Sequence, residues 1–503
     1  MNEIDTKIAK GAAWMVFFKL IDRAVGFAST IVLARLLMPA DFGLVAMAMV
    51  LLGALQLLFS FSFDVALIQN PKAGRDQFDT AWTFGILFAA ACCLILMLLA
   101  SFAARFYHEP RLEAVIYFLA IGFGIQGFSN IGPVLFRREM RFDREFKYLL
   151  SQRLGPLLVT IPLAFYLGNY WALVIGQLTG TLMSVALSYY ASNYRPRFSI
   201  KAKVELFHTS KWLMISNILH FLNGRAAEFV IGRILGAPAL GVYAIASEIA
   251  TLPTTELVAP INRAAFPGYS RAAHDIVQLR SSFLNVISTI ALFAIPAGIG
   301  IASVADLLVP VILGWKWQAA VPIIQILAIF GLIQALQTNI VYVYMALGNV
   351  RLFTIIGAVQ FVILLAFLIP GIQYWGSIGA AWAFLCTVVL MIPVNQILIS
   401  RCLKLSITHF LAILARPLTA SLAVSCAVWI IKHSLALRPE TADYILALIL
   451  CMASGALVYF IVLYGLWRLC SRPNGPERFC FLQLESALGR IGIQINLIGE
   501  QGS

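Results

Sequence analysis

The residues with chemistry to offer lie in two apolar stretches and recur at helical spacing. Between Trp14 and Leu37 the chain carries Lys19, Asp22 and Arg23, followed by Gly26 and Thr30. Steps of three and four residues place Lys19 beside both Asp22 and Arg23 on one helix face. A second stretch carries Asn217, His220, Asn223, Gly224, Arg225 and Glu228, again mainly along one face. A charge near the bilayer centre costs about 2.5–3.5 kcal/mol on insertion scales, so such groups need a reason to be there. Two reasons compete. Asp22 with Lys19 and Arg225 with Glu228 are internal pairs that neutralise each other, or the two stripes line a cavity that holds an anion. A planar guanidinium binds phosphate oxygens in a forked geometry and stays charged, and Lys19 with Arg23 leaves the first stripe net positive. Gln126, Asn130, Gln334 and Asn339 are candidates for neutral polar lining. His220 is either a proton-coupling group or a packing histidine. Asp64, Arg153, Glu248 and Glu256 lie nearer span ends, where snorkelling to the interface accounts for them.

No catalytic constellation accompanies these residues. The patterns HExxH, GxSxG and GxxxxGK[ST] do not occur in the sequence, nor does an acidic metal cluster. Neither an enzyme, a cofactor nor a metal is expected. The eight cysteines fall in apolar spans or in segments read as cytoplasmic, which argues against a disulfide framework.

The elements that must carry these residues are set by composition. Of 503 residues, 61% are hydrophobic and 12% charged, far from the balance of a soluble domain. The excess comes in blocks long enough to cross about 30 Å of hydrocarbon as helices. Fourteen spans are expected, near 12–37, 42–68, 80–103, 112–136, 147–168, 170–191, 211–236, 239–262, 281–303, 318–347, 350–370, 376–400, 410–432 and 443–467. The fold class is therefore an all-α polytopic membrane protein. Past Pro473, FCFLQLESALGRIGIQI fits either an interfacial helix or an unstructured tail.

The net charge of +13 is decided by its distribution. FRREMRFDREFK, Phe136 to Lys147, holds eight charges in twelve residues between two apolar runs. With the N-terminus cytoplasmic, 25 Lys and Arg fall in cytoplasmic segments. Only 5 fall in exported loops, namely Arg105, Arg111, Lys316, Lys432 and Arg438. That asymmetry is the positive-inside signature. It puts both termini in the cytoplasm, makes FRREMRFDREFK a cytoplasmic turn attracted to anionic lipid, and excludes nucleic acid as the partner.

The chain also repeats itself. TIVLARLLMPADFGLVAMA (Thr30–Ala48) aligns without a gap, at an offset of 198, with EFVIGRILGAPALGVYAIA (Glu228–Ala246). Arg35 falls on Arg233, Gly43 on Gly241, Ala46 on Ala244 and Ala48 on Ala246. YFLAIGFGIQ (Tyr117–Gln126) echoes QILAIFGLIQ (Gln325–Gln334). Six spans separate the repeats, so the halves share one orientation. They form two parallel six-helix bundles related by an axis along the membrane normal, a known transporter architecture. The expected division is 1–200 and 201–400 for the bundles and 401–503 for two extra spans and a cytoplasmic tail, with the basic linker Arg195 to Lys211 between the bundles. Arg35 and Arg233 each end a helix before a tight turn, where a cation meets C-terminal carbonyls and lipid head groups.

The opening GAAWMVFFKLIDRAVGFASTIVLARLLMPADFGLVAMA resembles the start of Wzx-type oligosaccharide flippases of the multidrug/oligosaccharidyl-lipid/polysaccharide exporter superfamily. PVLFRREMRFDREFK and GWKWQAAVPIIQILAIFG resemble the branch with the colanic-acid exporters, and the likeness covers roughly residues 7 to 470. The resemblance implies a V-shaped pair of bundles plus two helices, alternating access, and a polyprenyl-diphosphate-linked oligosaccharide as cargo. It further implies a bacterial inner-membrane protein of exopolysaccharide, capsule or O-antigen biosynthesis, working beside a polysaccharide polymerase and export machinery. Lys19, Arg23 and Arg225 are the positions that fit its theme of a positively charged cavity. The alternatives are a drug or cation antiporter of the same fold, which would centre on carboxylates, and a membrane-embedded polymerase or ligase, which would carry a large exported loop. A non-transporting scaffold would have no use for charge buried in both bundles, whereas a peptidoglycan-precursor flippase is separated only weakly.

Overall fold

The computed structural model describes residues 3–59, 67, 74–201, 211–435, 441–470 and 475–490. All regular structure among them is helical, as it must be where no water can satisfy backbone N–H and C=O groups. In chain order the helices are α1 (Glu3–Leu36), α2 (Pro39–Phe59), α3 (Arg75–Tyr107), α4 (Arg111–Gln126), the short α5 (Val134–Arg138), α6 (Phe142–Leu167) and α7 (Trp171–Ala191). They continue as α8 (Lys211–Pro253), α9 (Ala259–Ala272), α10 (Ile276–Ile312), α11 (Ala320–Ala346), α12 (Val350–Leu403), α13 (Ile407–Ser434), α14 (Thr441–Leu469) and α15 (Pro476–Arg490). Ten of the described helices are long and apolar enough to cross a membrane.

Two helices are really pairs. α8 folds back at Gly236 (φ 80°) and α12 at Gly376 (φ 60°), both in the left-handed region that glycine enters at little cost. Counting each as two crossings, and adding the polar α1 and the sixteen-residue α4, accounts for the fourteen expected spans. One expected loop is not a loop. α10 continues to Ile312 and is followed by a short 3-10 turn at Trp315–Trp317, because Leu307, Val309 and Leu313 stay buried well past the expected span end.

The chain divides into two compact units, 1–244 and 245–503. In the first, Leu33, Leu37, Ala164 and Ala172 form a buried cluster that locks α1 and α6 to the start of α7. The second is built around α10 and α11, whose Phe283, Ile287, Ile290, Ala335, Val343 and Tyr344 are buried together. α13 and α14 pack on α10 beside an apolar cavity of about 640 Å³.

The basic turn after α4 is ordered by its own charges. Met140 takes a left-handed conformation (φ 55°), and Arg137 meets the buried Glu145 across it. Arg141, Arg144 and Lys147 are left on the surface. The linker from Ser192 to Lys201 is strapped to the start of α3. Asp79, 4% exposed, accepts from Tyr194 Oη (2.7 Å) and Arg197 N (2.9 Å), and Thr83 Oγ1 accepts from Ser199 N (2.9 Å). The rest of the expected linker, residues 202–210, lies outside the described residues, as do Asp64 and the tail beyond Arg490.

Candidate functional site

Lys19 stands exposed on α1 and Asp22 and Arg23 are half-buried. The expected Asp22–Lys19 pair gives way to a different one: Arg153 Nε of α6 lies 2.8 Å from Asp22 Oδ1. The guanidinium fits because Gly26, one turn on from Asp22, has no Cβ, and one added there would collide with Arg153 Nη2. Arg153 therefore ties two helices together instead of snorkelling. Both partners remain about two-fifths exposed, 42% for Arg153 and 40% for Asp22, so the pair faces an open polar surface.

That surface borders a cavity of about 480 Å³ within the first unit, walled by α1, α2, α4, α6 and α7. Leu33, Phe42, Val45 and Met49 make its apolar side; Gln126, Gln152, Arg153, Gln177, Thr181 and Ser184 make its polar side. α6 and α7 meet closely there, since a Cβ on Gly180 would lie 2.8 Å from the Pro156 ring and one on Gly176 would collide with Thr160. Gln152 Nε2 donates to Ser184 Oγ (2.5 Å), which orients that amide and leaves its carbonyl oxygen to accept. Pro156 has no N–H to give the Gln152 backbone carbonyl, which adds a further acceptor to this turn. No Asp or Glu lines the cavity. An apolar wall facing a few convergent polar groups is the usual form of a small-molecule site. Here amides, hydroxyls and one guanidinium suit sugar hydroxyls and phosphate oxygens better than a cation.

Gln126, expected to line a cavity between the bundles, is part of this wall within the first unit, while Gln152 and Gln177 were not singled out and Arg153 was read as snorkelling. The signal was present in α7, where Gln177, Thr181 and Ser184 recur at steps of four and three. In α6, Gln152 and Arg153 sit one turn before a proline.

The second stripe is also in the first unit. Arg225 Nη1 donates to Glu228 Oε1 (2.5 Å), so this internal pair forms, with Glu228 13% exposed and Arg225 52%. His220 is exposed, Asn223 Nδ2 donates to the Leu219 carbonyl (2.9 Å), and the Asn217 side chain lies outside the described residues. Two of the neutral candidates turn out to be packing residues. Asn130, 6% exposed, donates to the Tyr194 carbonyl (2.7 Å) and accepts from Gly132 N (2.8 Å). Asn339, fully buried in the second unit, accepts from Tyr269 Oη (3.0 Å). The Asn130 amide is consumed by hydrogen bonds that a buried polar group requires, whereas at Asn339 only the carbonyl oxygen is satisfied and Nδ2 is buried without a partner. Gln334, on α11, is half-buried. Among the described residues no His, Cys, Asp and Glu cluster could hold a metal ion.

Residues 32–322 match the family described as "Polysaccharide biosynthesis protein". The chain belongs to this family. Among its relatives is the Lipopolysaccharide biosynthesis protein WzxC of Escherichia coli K12, 25% identical over 387 residues, which are 75% of this chain and 78% of the relative. Another is the Teichuronic acid biosynthesis protein TuaB of Bacillus subtilis, 25% identical over 419 residues, 81% of this chain and 85% of the relative. In fold the chain is similar to the Lipid II flippase MurJ in an inward closed conformation, with a TM-score of 0.72 at 14% identity over 91% of this chain and 99% of that one. It is also similar to an inward-facing multidrug resistance MATE family transporter, with a TM-score of 0.56 at 14% identity over 76% of this chain and 95% of that one. Fold and family together make this a multi-pass membrane protein of polysaccharide biosynthesis.

Proposed function

We propose that this protein translocates polyprenyl-diphosphate-linked oligosaccharide units from the cytoplasmic to the periplasmic leaflet of the bacterial inner membrane, by alternating access and with both termini in the cytoplasm. The observation that carries the reading is the polar cavity of the first unit, which offers amides, hydroxyls and Arg153 but no carboxylate. A diphosphate and a hydroxyl-rich glycan need those donors, whereas the carboxylate a cation antiporter would need is present only at the edge, as Asp22, and is taken up by Arg153. The relatives' roles in lipopolysaccharide and teichuronic acid biosynthesis agree with it, as does the fold shared with a lipid II flippase. A polysaccharide polymerase acting on the delivered units is the natural partner on the exported side.

The test is a deletion strain, scored for surface polysaccharide and for the membrane sidedness of its lipid-linked repeat unit. Lost polymer with repeat units held on the cytoplasmic leaflet supports the proposal. Repeat units on the periplasmic leaflet without polymer point to a polymerase, and unchanged polysaccharide overturns the cargo assignment.

A further inference from the structure

The cavity of the first unit treats the two polar parts of the proposed cargo differently. Arg153 is the only charged side chain among the described residues that line it, and Asp22 at the edge already balances that charge at 2.8 Å. A diphosphate drawn inside would trade water for a lining with no net charge, and only a paired counter-charge offsets that loss. A neutral sugar ring meets no such cost. It needs donors and acceptors for the hydroxyls on its edge and apolar contact for the C–H groups on its faces. The cavity has both sides, with Phe42, Val45 and Met49 of α2 on the one and the amides of α4, α6 and α7 on the other. Its volume of about 480 Å³ admits a small ligand and not a whole oligosaccharide.

Two of those amides are uncommitted. Gln152 is engaged with Ser184, but the Gln126 and Gln177 side-chain amides have no hydrogen-bond partner among the described residues. Thr181 Oγ1 donates to the Gln177 carbonyl (3.1 Å) and Thr160 Oγ1 to the Pro156 carbonyl (2.9 Å), so both hydroxyls keep lone pairs to accept with and no proton to give. The two glutamines are thus the neutral donors with both N–H groups free, and each also accepts. Their spacing is set by the place where α4 passes α7. A Cβ on Gly122 would lie 3.3 Å from Leu178 Cδ1 and 4.0 Å from Thr181 Oγ1, so the helices are close at that level. α4 and α7 are two crossings apart and run in the same direction. Gln126 lies one turn beyond Gly122 and Gln177 one turn before Thr181, so two turns, about 11 Å of rise, separate their backbones. Two glutamines lining one cavity from that distance can hold opposite edges of one ring.

We infer that the first-unit cavity is a sugar subsite that takes one neutral ring of the cargo between Gln126 and Gln177, with the diphosphate left at the rim beside Arg153. The inference rests on the proposed function for its cargo, but not for the binding of a sugar. The test uses the full-length protein, purified in a detergent without a sugar head group, with Val45→Cys as a reporter on the apolar wall that spares both amides. Its modification by N-ethylmaleimide is followed by mass spectrometry of the peptide that carries it. Glycosides are supplied at high concentration, because a lone ring has few contacts to set against the cost of binding. At least one of the methyl glycosides of glucose, galactose, mannose and N-acetylglucosamine should slow the reaction several-fold, while inorganic pyrophosphate leaves the rate unchanged. Gln126→Leu with Gln177→Leu, or Gln177→Leu alone if the double variant fails to accumulate, should remove the protection without altering the unprotected rate. Protection by pyrophosphate assigns the cavity to the diphosphate and overturns the inference. No protection by any glycoside, or protection that survives loss of the amides, overturns it as well. A deletion strain with normal polysaccharide would refute the cargo alone and leave protection by a glycoside to decide the subsite.

Discussion

At the scale of single residues, two cations at the polar stripes are held by carboxylates, Arg153 by Asp22 and Arg225 by Glu228. Arg153 and Asp22 are each about two-fifths exposed, so their attraction contributes only a few tenths to about 1 kcal/mol to stability. Arg153→Ala should therefore leave membrane protein level and detergent melting temperature nearly unchanged while export falls sharply. Arg23→Ala and Arg225→Ala should likewise abolish export at normal protein level, as seen in immunoblots beside polysaccharide assays. Normal polysaccharide from all three would remove the anion cavity. Asp22 itself was legible as a paired carboxylate, but its partner was not. Spacing within one helix offers Lys19, whereas a residue 131 positions away on another helix leaves no trace in periodicity. Asn130 and Asn339 misled for the converse reason, since an amide in an apolar run looks the same whether it faces a cavity or caps a neighbour. Outside the membrane, Arg111 grips Glu109 through Nε (2.8 Å) and Nη2 (2.9 Å). That hydrogen bonding holds the Glu109 carboxyl below the usual carboxylate range. A lowered folded value means stability that is complete above the ordinary value and lost as pH falls through the lowered one. Glu109→Gln should thus melt slightly below the parent at neutral pH, with the gap closing in acid; a pH-independent gap would show that charge is not its source.

At the scale of elements, the spans were readable because hydrocarbon leaves the backbone one solution, and the repeat was readable because Arg35, Gly43 and their mates stand out on an apolar ground. What escaped was the ends. The stretch past Pro473 fitted two states, and its part from Pro476 to Arg490 is α15, a helix held by burial more than by propensity. Glu477, 3% exposed, pairs with Arg416 of α13 (3.3 Å), and Phe481 packs edge-on against Phe460 and Tyr464 beside Trp467. A fifteen-residue helix is marginal alone in water. Removing one partner of a buried ion pair costs about 3–5 kcal/mol, and deleting a buried Phe side chain a similar amount, about 3–5 kcal/mol. Either Glu477→Ala or Phe481→Ala should detach α15 without unfolding the spans. Limited proteolysis would show cleavage between Cys470 and Arg490 in the variants and protection in the parent. Equal protection would mean that α15 is held by the membrane surface and not by α13 and α14.

At the scale of the whole molecule, topology hangs on the first helix. The ten long apolar helices do not include α1, whose Lys19, Asp22 and Arg23 each work against insertion by about 2.5–3.5 kcal/mol on insertion scales. In the proposed orientation, the positive-inside asymmetry of the later loops does not depend on α1. If α1 crosses, the N-terminus is cytoplasmic; if it does not, the N-terminus is exported while the C-terminus stays where it is. Arg153 can meet Asp22 only after α6 has entered the membrane, and a pair this exposed contributes too little to decide whether α1 crosses. A reporter that fluoresces only in the cytoplasm, fused ahead of Glu3, should be bright in the parent and in Arg153→Ala alike, as should the same reporter at the C-terminus. An N-terminal reporter dark in the parent would show that α1 does not span and would take the polar stripe out of the transport path. A bright one in both proteins would keep the stripe and show that α1 inserts without help from α6.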